Sequence, residues 1–264
     1  MLADYHVHTS YSLDSKYPME EVIKDAIAKG IDEICFTDHV DLGIYYDGKE
    51  TTISSYDDYF KNIREYALKY PNITIKTGLE FGMQTHTIQR YEELFKSYPF
   101  DFIIMSVHEI GDKELWTYDY QEGKTQIEYN LGYYNEILNI IKNYHNYSVL
   151  GHLDSIVRYD KAGPCPFEIV KPVIIEILKT IIDDGKGLEV NTSNIRYHIK
   201  EGTPSLEILK LYHELGGEII TLGSDSHMKE HLGFNIENMQ KVLKNLGFKY
   251  FMTYEKMEMI KHEL

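Results

Sequence analysis

The chain has 264 residues, 43% of them apolar, which is enough for a sizeable core and compatible with one domain spanning 1–264. Its 27 basic and 42 acidic side chains leave a formal charge of −15, which repels a phosphate backbone and disfavours sequence-independent nucleic-acid binding, while suiting a cationic small substrate or plain solubility. Two cysteines, Cys35 and Cys165, make neither a disulfide framework nor a thiolate site; residues 1–6 carry no export signal and no apolar run reaches membrane-spanning length. A soluble cytoplasmic protein with no membrane partner is expected, its oligomeric state left open.

In chain order, a strand is predicted at 2–7 and a helix at 18–29, with Pro18 in a first turn and Gly30 at the stop. Strands at 32–37, 73–79 and 101–107 then alternate with helices at 55–69, 87–97 and 125–143. In the helix at 125–143, Ile127, Leu131, Tyr134, Leu138 and Ile141 recur at three- and four-residue steps and form one apolar face. The series continues with a strand at 147–151 and a helix at 167–184 ending before Gly185. A strand at 187–191, a helix at 204–215 between Pro204 and Gly216, a strand at 218–223 and a helix at 235–246 complete it. Seven β-then-α units imply parallel strands joined by crossover helices. The predicted fold is α/β, a TIM-like (β/α)7 barrel distorted because it is one unit short of eight; a doubly wound open sheet is the alternative.

Six of the twelve histidines fall at or just beyond these strand ends, each near an acid. The segments are Asp4-Tyr5-His6-Val7-His8, Thr37-Asp38-His39, Gly78-Leu79-Glu80, Ser106-Val107-His108, Gly151-His152-Leu153-Asp154 and Gly223-Ser224-Asp225-Ser226-His227. In a parallel barrel the functional groups come from the C-terminal ends of the strands, so distant residues would converge on one cup. The two-residue spacing of His6 and His8 puts both imidazoles on one face, and Asp225/His227 and His152/Asp154 repeat it. Asp38 and His39 are adjacent, so only one of them is a natural metal ligand and the other would orient it. Imidazole and carboxylate are the donors a divalent cation prefers where thiolates are absent, and the series points to a multinuclear site. Any one of these histidines alone would be read as a hydrogen-bonded core residue, and Asp14 alone as a cap near Pro18.

His6-Val7-His8-Thr9-Ser10-Tyr11-Ser12 and Gly223-Ser224-Asp225-Ser226-His227, supported by Thr37-Asp38-His39, resemble motifs of the polymerase-and-histidinol-phosphatase (PHP) family of metallophosphoesterases. Within that family the chain looks most like the monofunctional histidinol-phosphate phosphatases of histidine biosynthesis. The resemblance implies a distorted (β/α)7 barrel holding two or three divalent ions, with zinc, manganese, iron or cobalt all compatible with the donors. It implies that His6, His8, Glu80 and Asp225 hold a first metal, that Glu80 bridges to a second held also by His108 and His152, and that Asp14, His39 and His227 hold a third. The reaction it implies is phosphomonoester hydrolysis by in-line attack of a metal-bridging hydroxide, with histidinol phosphate as the small phosphorylated substrate.

Asp225 and His227 are thereby expected at the catalytic centre together with arginines that complete a phosphate cradle. Arg158 after strand five and Arg196 after strand six lie on the active face, and the family comparison favours both; a surface ion pair is the plainer alternative. His198, two residues beyond Arg196, is a candidate proton donor to the leaving oxygen. Loops at 41–54 and 109–124 carry Tyr45, Tyr46, Trp116, Tyr118 and Tyr120 with Asp41, Asp47, Glu109, Asp112, Glu114 and Asp119, a lining suited to an amino-imidazole cation or an ordinary pair of solvated loops. Competing readings are a phosphotyrosine-protein phosphatase on the same barrel, a nuclease, and a non-catalytic metal-binding regulatory module.

Overall fold

Seven strands pair in parallel and in sequence order: Ala3–Val7, Glu33–Phe36, Thr74–Gly82, Phe102–Ser106, Val149–Leu150, Gly187–Asn191 and Ile220–Gly223. The computed structural model describes residues 1–197, 199 and 202–264. The cylinder is closed by the segment after the seventh strand rather than by a ladder between the seventh strand and the first. His8 N donates to Ser226 O (2.8 Å) and Ser226 N donates to His6 O (3.2 Å). The predicted (β/α)7 barrel is therefore the architecture, and the open doubly wound sheet is not.

Helices α1 (Met19–Ala28), α2 (Tyr56–Lys69), α3 (Ile88–Ser97), α4 (Gln126–Asn143), α5 (Phe167–Asp183), α6 (Leu206–Glu214) and α7 (Ile236–Leu246) lie within two residues of their predicted bounds. Local chemistry sets several ends. The Ser55 and Ser205 side chains accept from Asp58 N and Ile208 N, and Thr125 and Glu128 form a capping box at α4. Gly185 ends α5 with φ +66°, letting Lys186 N return to Ile181 O. Among the described residues no helix is long and apolar enough to cross a membrane.

The buried face of α4 is rotated from the predicted stripe. Tyr129, Tyr133, Tyr134, Ile137, Leu138, Ile140 and Ile141 are inside, while Ile127 is 45% exposed. Tyr129 and Tyr133 take inward positions there because each ring has an apolar body and its hydroxyl finds a polar partner. Tyr129 Oη donates to Asp160 Oδ1 (2.6 Å), and Tyr133 Oη pairs with Ser155 Oγ (3.0 Å).

Three hairpins lie outside the predicted series. His39–Tyr46 begins beside the third barrel strand, pairing His39 with Glu80, then leaves it to pair with Lys49–Thr51. Glu109–Ile110 pairs with Lys113–Glu114, so both predicted loops contain strand. Tyr250–Glu255 and Glu258–Glu263 form a C-terminal hairpin turning at Lys256 and Met257, both at positive φ. Such a turn ordinarily uses Asn-Gly, and its absence hid the hairpin. It covers the N-terminal end of the barrel: Tyr254 N donates to Tyr5 Oη (2.8 Å) and Met257 N to Asp101 O (2.9 Å). The opposite end remains open.

Candidate metal centre

At that open end Glu80, the seventh residue of the third strand, is fully buried and ringed by imidazoles. Its Oε2 lies 3.1 Å from His6 Nε2, 3.5 Å from His8 Nε2 and 3.0 Å from His39 Nδ1. Its Oε1 lies 2.8 Å from His152 Nε2 and 3.2 Å from His108 Nε2. Each oxygen thus faces a different set of nitrogens, the geometry of a bridging carboxylate. Asp225 Oδ1 stands 3.5 Å from His8 Nε2, 3.7 Å from His6 Nε2 and 3.6 Å from His227 Nδ1. Asp14 Oδ2 stands 2.9 Å from His227 Nε2 and 3.6 Å from His39 Nε2. All nine predicted metal ligands, from six strand ends and the loop after the first strand, are therefore brought to one cup.

The donors suit divalent cations. Two ligands on one cation at about 2.1 Å stand roughly 3.0–3.4 Å apart, close to the spacings here. His8 Nε2 is buried with no hydrogen-bond partner, and burial, with His227 and His39 beside it, holds the His8 imidazole well below its ordinary pKa, in the neutral form a metal requires. Burial alone would raise Glu80 and Asp225. The surrounding imidazoles, His6 foremost in both cases, instead keep both carboxyls well below their usual range. His6, His39 and His108 show the converse: burial disfavours their charge, but Glu189 for His6 and Glu80 for the other two lift them well above 6.5.

A second layer holds these groups in place. His39 faces the cup, while Asp38 accepts from Thr9 N (2.6 Å), Ser12 N (3.1 Å) and Ser12 Oγ (2.7 Å), and Ser12 Oγ in turn meets His8 Nδ1 (3.2 Å). Asp38 thus holds the Thr9–Ser12 turn, whose Ser12 Oγ also accepts from His39 N (3.0 Å), and does not itself bond His39. Glu189, 1% exposed on the sixth strand, accepts from His6 Nδ1 through Oε1 and from His152 N through Oε2 (2.8 Å). Asp41 Oδ1 meets His108 Nδ1 at 2.7 Å. Glycines make room: a methyl group at Gly223 would collide with His6 and Glu189, and one at Gly82 with Asp41 and His108. His152 and Asp225 have positive φ (21° and 56°), conformations that non-glycine residues seldom adopt away from functional sites.

Other expectations separate here. Arg158 lines the cup, with Nη1 3.8 Å from Asp225 Oδ2 and Nε bonded to Asn194 Oδ1. Arg196 does not line it; its guanidinium donates to Ser224 O (2.7 Å) and Asp225 O (2.9 Å), bracing the closing segment from behind. His198 lies outside the described residues. Asp154 turns away from His152 to accept from Thr203 Oγ1 and Ser205 N, because the chain has left the strand after Leu150 and alternation no longer applies. Glu189 and the clasp of Asp4 on Ser224 were not anticipated, although an acid inside the buried strand Gly-Leu-Glu-Val-Asn was a legible signal for the first.

The cup opens into a cavity of about 660 Å³. Ile44, Leu115, Trp116, Tyr46, Tyr159 and Tyr197 give it an apolar and aromatic wall, and Asp41 and Glu109 an acidic one. Tyr45, Tyr118, Tyr120, Asp47, Asp112, Glu114 and Asp119 do not line it. Burial, with Asp41 adding to it, pushes Glu109 up to about 8.

A model of the PHP domain matches residues 4–193. The histidinol-phosphatase of Lactococcus lactis is 33% identical over 267 residues, covering 98% of this chain and 97% of that protein. A probable histidinol-phosphatase of Clostridium acetobutylicum is 32% identical, covering 94% and 95%. The crystal structure of histidinol phosphate phosphatase from Lactococcus lactis, complexed with Zn, L-histidinol and phosphate, superposes with a TM-score of 0.86 at 32% identity, over 98% of this chain and 99% of that one.

Proposed function

The chain belongs to the PHP domain family, and from that premise we propose that it is a metal-dependent phosphatase releasing phosphate from L-histidinol phosphate. The observation that carries the reading is Glu80, whose two oxygens face separate groups of imidazoles at the open end of the barrel. His6, His8, Glu80 and Asp225 would hold one divalent ion, Glu80, His108 and His152 a second, and Asp14, His39 and His227 a third. Zinc, manganese, iron and cobalt all suit these donors, and the Lactococcus relative was crystallised with zinc. When bound, such ions supply positive charge at the phosphoryl oxygens and lower the pKa of a water.

The protein's own groups do the rest. Arg158 presents a guanidinium on the cavity wall, held by Ser193 and Asn194, where it receives a phosphoryl oxygen. Arg196 fixes the backbone on which Asp225 sits. Glu189, Asp38 and Asp41 hold His6, the His8 loop and His108 so that their free nitrogens converge before any ligand arrives. The aromatic wall excludes water from the imidazole end of the substrate.

The test is a panel of histidinol phosphate, a phosphotyrosine peptide and single-stranded DNA, assayed with metal content measured on the same protein. Phosphate release from histidinol phosphate well above the others is expected. Metal-loaded protein inert toward histidinol phosphate at micromolar concentration would overturn the proposal.

A further inference from the structure

The acidic wall of the cavity gathers carboxyl groups that no lysine or arginine among the described residues meets. Glu109 is 4% exposed and lines the cavity, and its Oε2 has no hydrogen-bond partner. Its cross-strand neighbour is Glu114, whose Oε1 is likewise buried and unpartnered. Like charges directly opposite on a strand pair repel, and a buried carboxylate without a partner is costly. Donor atoms of Asp41, His108 and Glu109 all lie within 4.8 Å of one another, so a third carboxylate shares the space. Asp41 has a use, since it holds His108 Nδ1. Among the described residues no lysine or arginine forms an ion pair with Glu109, Glu114 or Asp41. Glu109 is thus a buried cavity carboxyl that no lysine or arginine among the described residues meets.

The substrate supplies a cation. In histidinol phosphate the ammonium group is on the carbon next to the one that bears the ester oxygen, and the imidazole is one methylene further on. The cavity that the metal donors open into is lined by Asp41, His108 and Glu109 and by Trp116, Tyr159 and Tyr197, so an ester held there by its phosphate has both an acidic wall for an ammonium and an aromatic wall for an imidazole. We propose that Glu109 binds the substrate's ammonium group and makes the site selective for phosphate esters with an amine adjacent to the ester carbon. This rests on the reading of the site as a histidinol phosphate phosphatase. Asp14 is a poorer candidate, being engaged by His227 and more than half exposed.

The experiment compares kcat/KM for histidinol phosphate and for 3-(imidazol-4-yl)propyl phosphate, which has hydrogen in place of the amine. Wild type and Glu109→Gln are both measured, with bound metal quantified in each. A hydrogen bond between charged groups corresponds to a preference of about 10- to 100-fold for the amino substrate in the wild type. In Glu109→Gln this preference shrinks to within about threefold, mainly through KM, with metal content kept. A wild type without the preference, a variant that retains it, or loss of metal in the variant overturns the assignment. Should the glutamine variant fail to fold, Glu109→Asp, which withdraws the charge by one methylene, must show a smaller preference than the wild type; an equal one refutes the idea. A wild type that hydrolyses neither substrate defeats the reading of the site itself, a result distinguishable from the others.

Discussion

Glu189 offers the sharpest test of how the centre is built, because one buried carboxylate touches ligands of two proposed metal positions. Oε1 accepts from His6 Nδ1 and Oε2 from His152 N at 2.8 Å, and Asn191 Nδ2 approaches both oxygens at 3.3 Å. Glu189→Gln keeps the shape but has one acceptor oxygen, so either His6 or the His152 backbone loses its partner. Losing one charge-assisted bond costs about 1.5–3 kcal/mol. Independently, removing a partner that orients a metal-binding histidine weakens metal affinity about 10- to 100-fold, or roughly 1.4–2.7 kcal/mol. The two routes agree, so a chelator-competition titration should show affinity at the His6 position falling by one to two orders of magnitude, with overall folding retained. An unchanged zinc affinity in a folded Glu189→Gln protein would falsify the view that this carboxylate orients His6.

Glu80→Gln removes the shared ligand, and elemental analysis is expected to show at least two positions losing metal together; full occupancy would rule out a bridging role. Arg158→Ala should lower kcat/KM for the phosphate ester by about 10²-fold while leaving metal content intact, since its guanidinium touches no proposed metal donor except Asp225, at 3.8 Å. In the metal-free protein, burial disfavours charge on His6, His39 and His108, but neighbouring carboxylates raise all three well above 6.5. A raised folded pKa stabilises below 6.5, and the contribution disappears as pH climbs through the folded value. Glu80 and Asp225, lowered from 4.5 and 3.8, stabilise above those values and lose the effect as acid passes their folded ones. Chelated protein should therefore melt highest near pH ~5–6 and lower toward pH ~8.5, whereas metal affinity rises over the same interval as the ligands shed protons. A higher Tm for chelated protein at the alkaline end contradicts this.

The barrel was legible because seven apolar runs alternate with amphipathic ones, and each helix kept its predicted place to within two residues. The convergence of the candidate ligands was legible because alternation fixes His6 and His8 on one face and because acids and imidazoles recur at strand ends. Alternation failed where the strand had already ended, so Asp154 capped a loop instead of joining His152. Arg196 follows the sixth strand as expected, yet its guanidinium turns to the Ser224 and Asp225 carbonyls instead of lining the cavity, a direction that no local pattern reveals. The C-terminal hairpin escaped notice because Lys256-Met257 makes its turn without glycine or asparagine. On α4 the predicted Tyr134, Leu138 and Ile141 are buried but Ile127 is not, because Tyr129 and Tyr133 turn inward to hydroxyl partners that periodicity does not show.

The seam between Ser226 and the His6–His8 backbone sits among the proposed metal ligands. A nascent chain extending only to residue 219 already contains His6, His8, His39, Glu80, His108 and His152, yet it has no latch to hold the wall round them. Docking of residues 220–227 adds Asp225 and His227 and shuts the cylinder in the same step. Ions held by the proposed ligands would therefore find their full set only once this segment has docked, and would join the beginning of the polypeptide to the segment that follows the seventh strand. Chelation should accordingly loosen this junction first, and hydrogen exchange should quicken at Ser226 before it does in the strands on the far side.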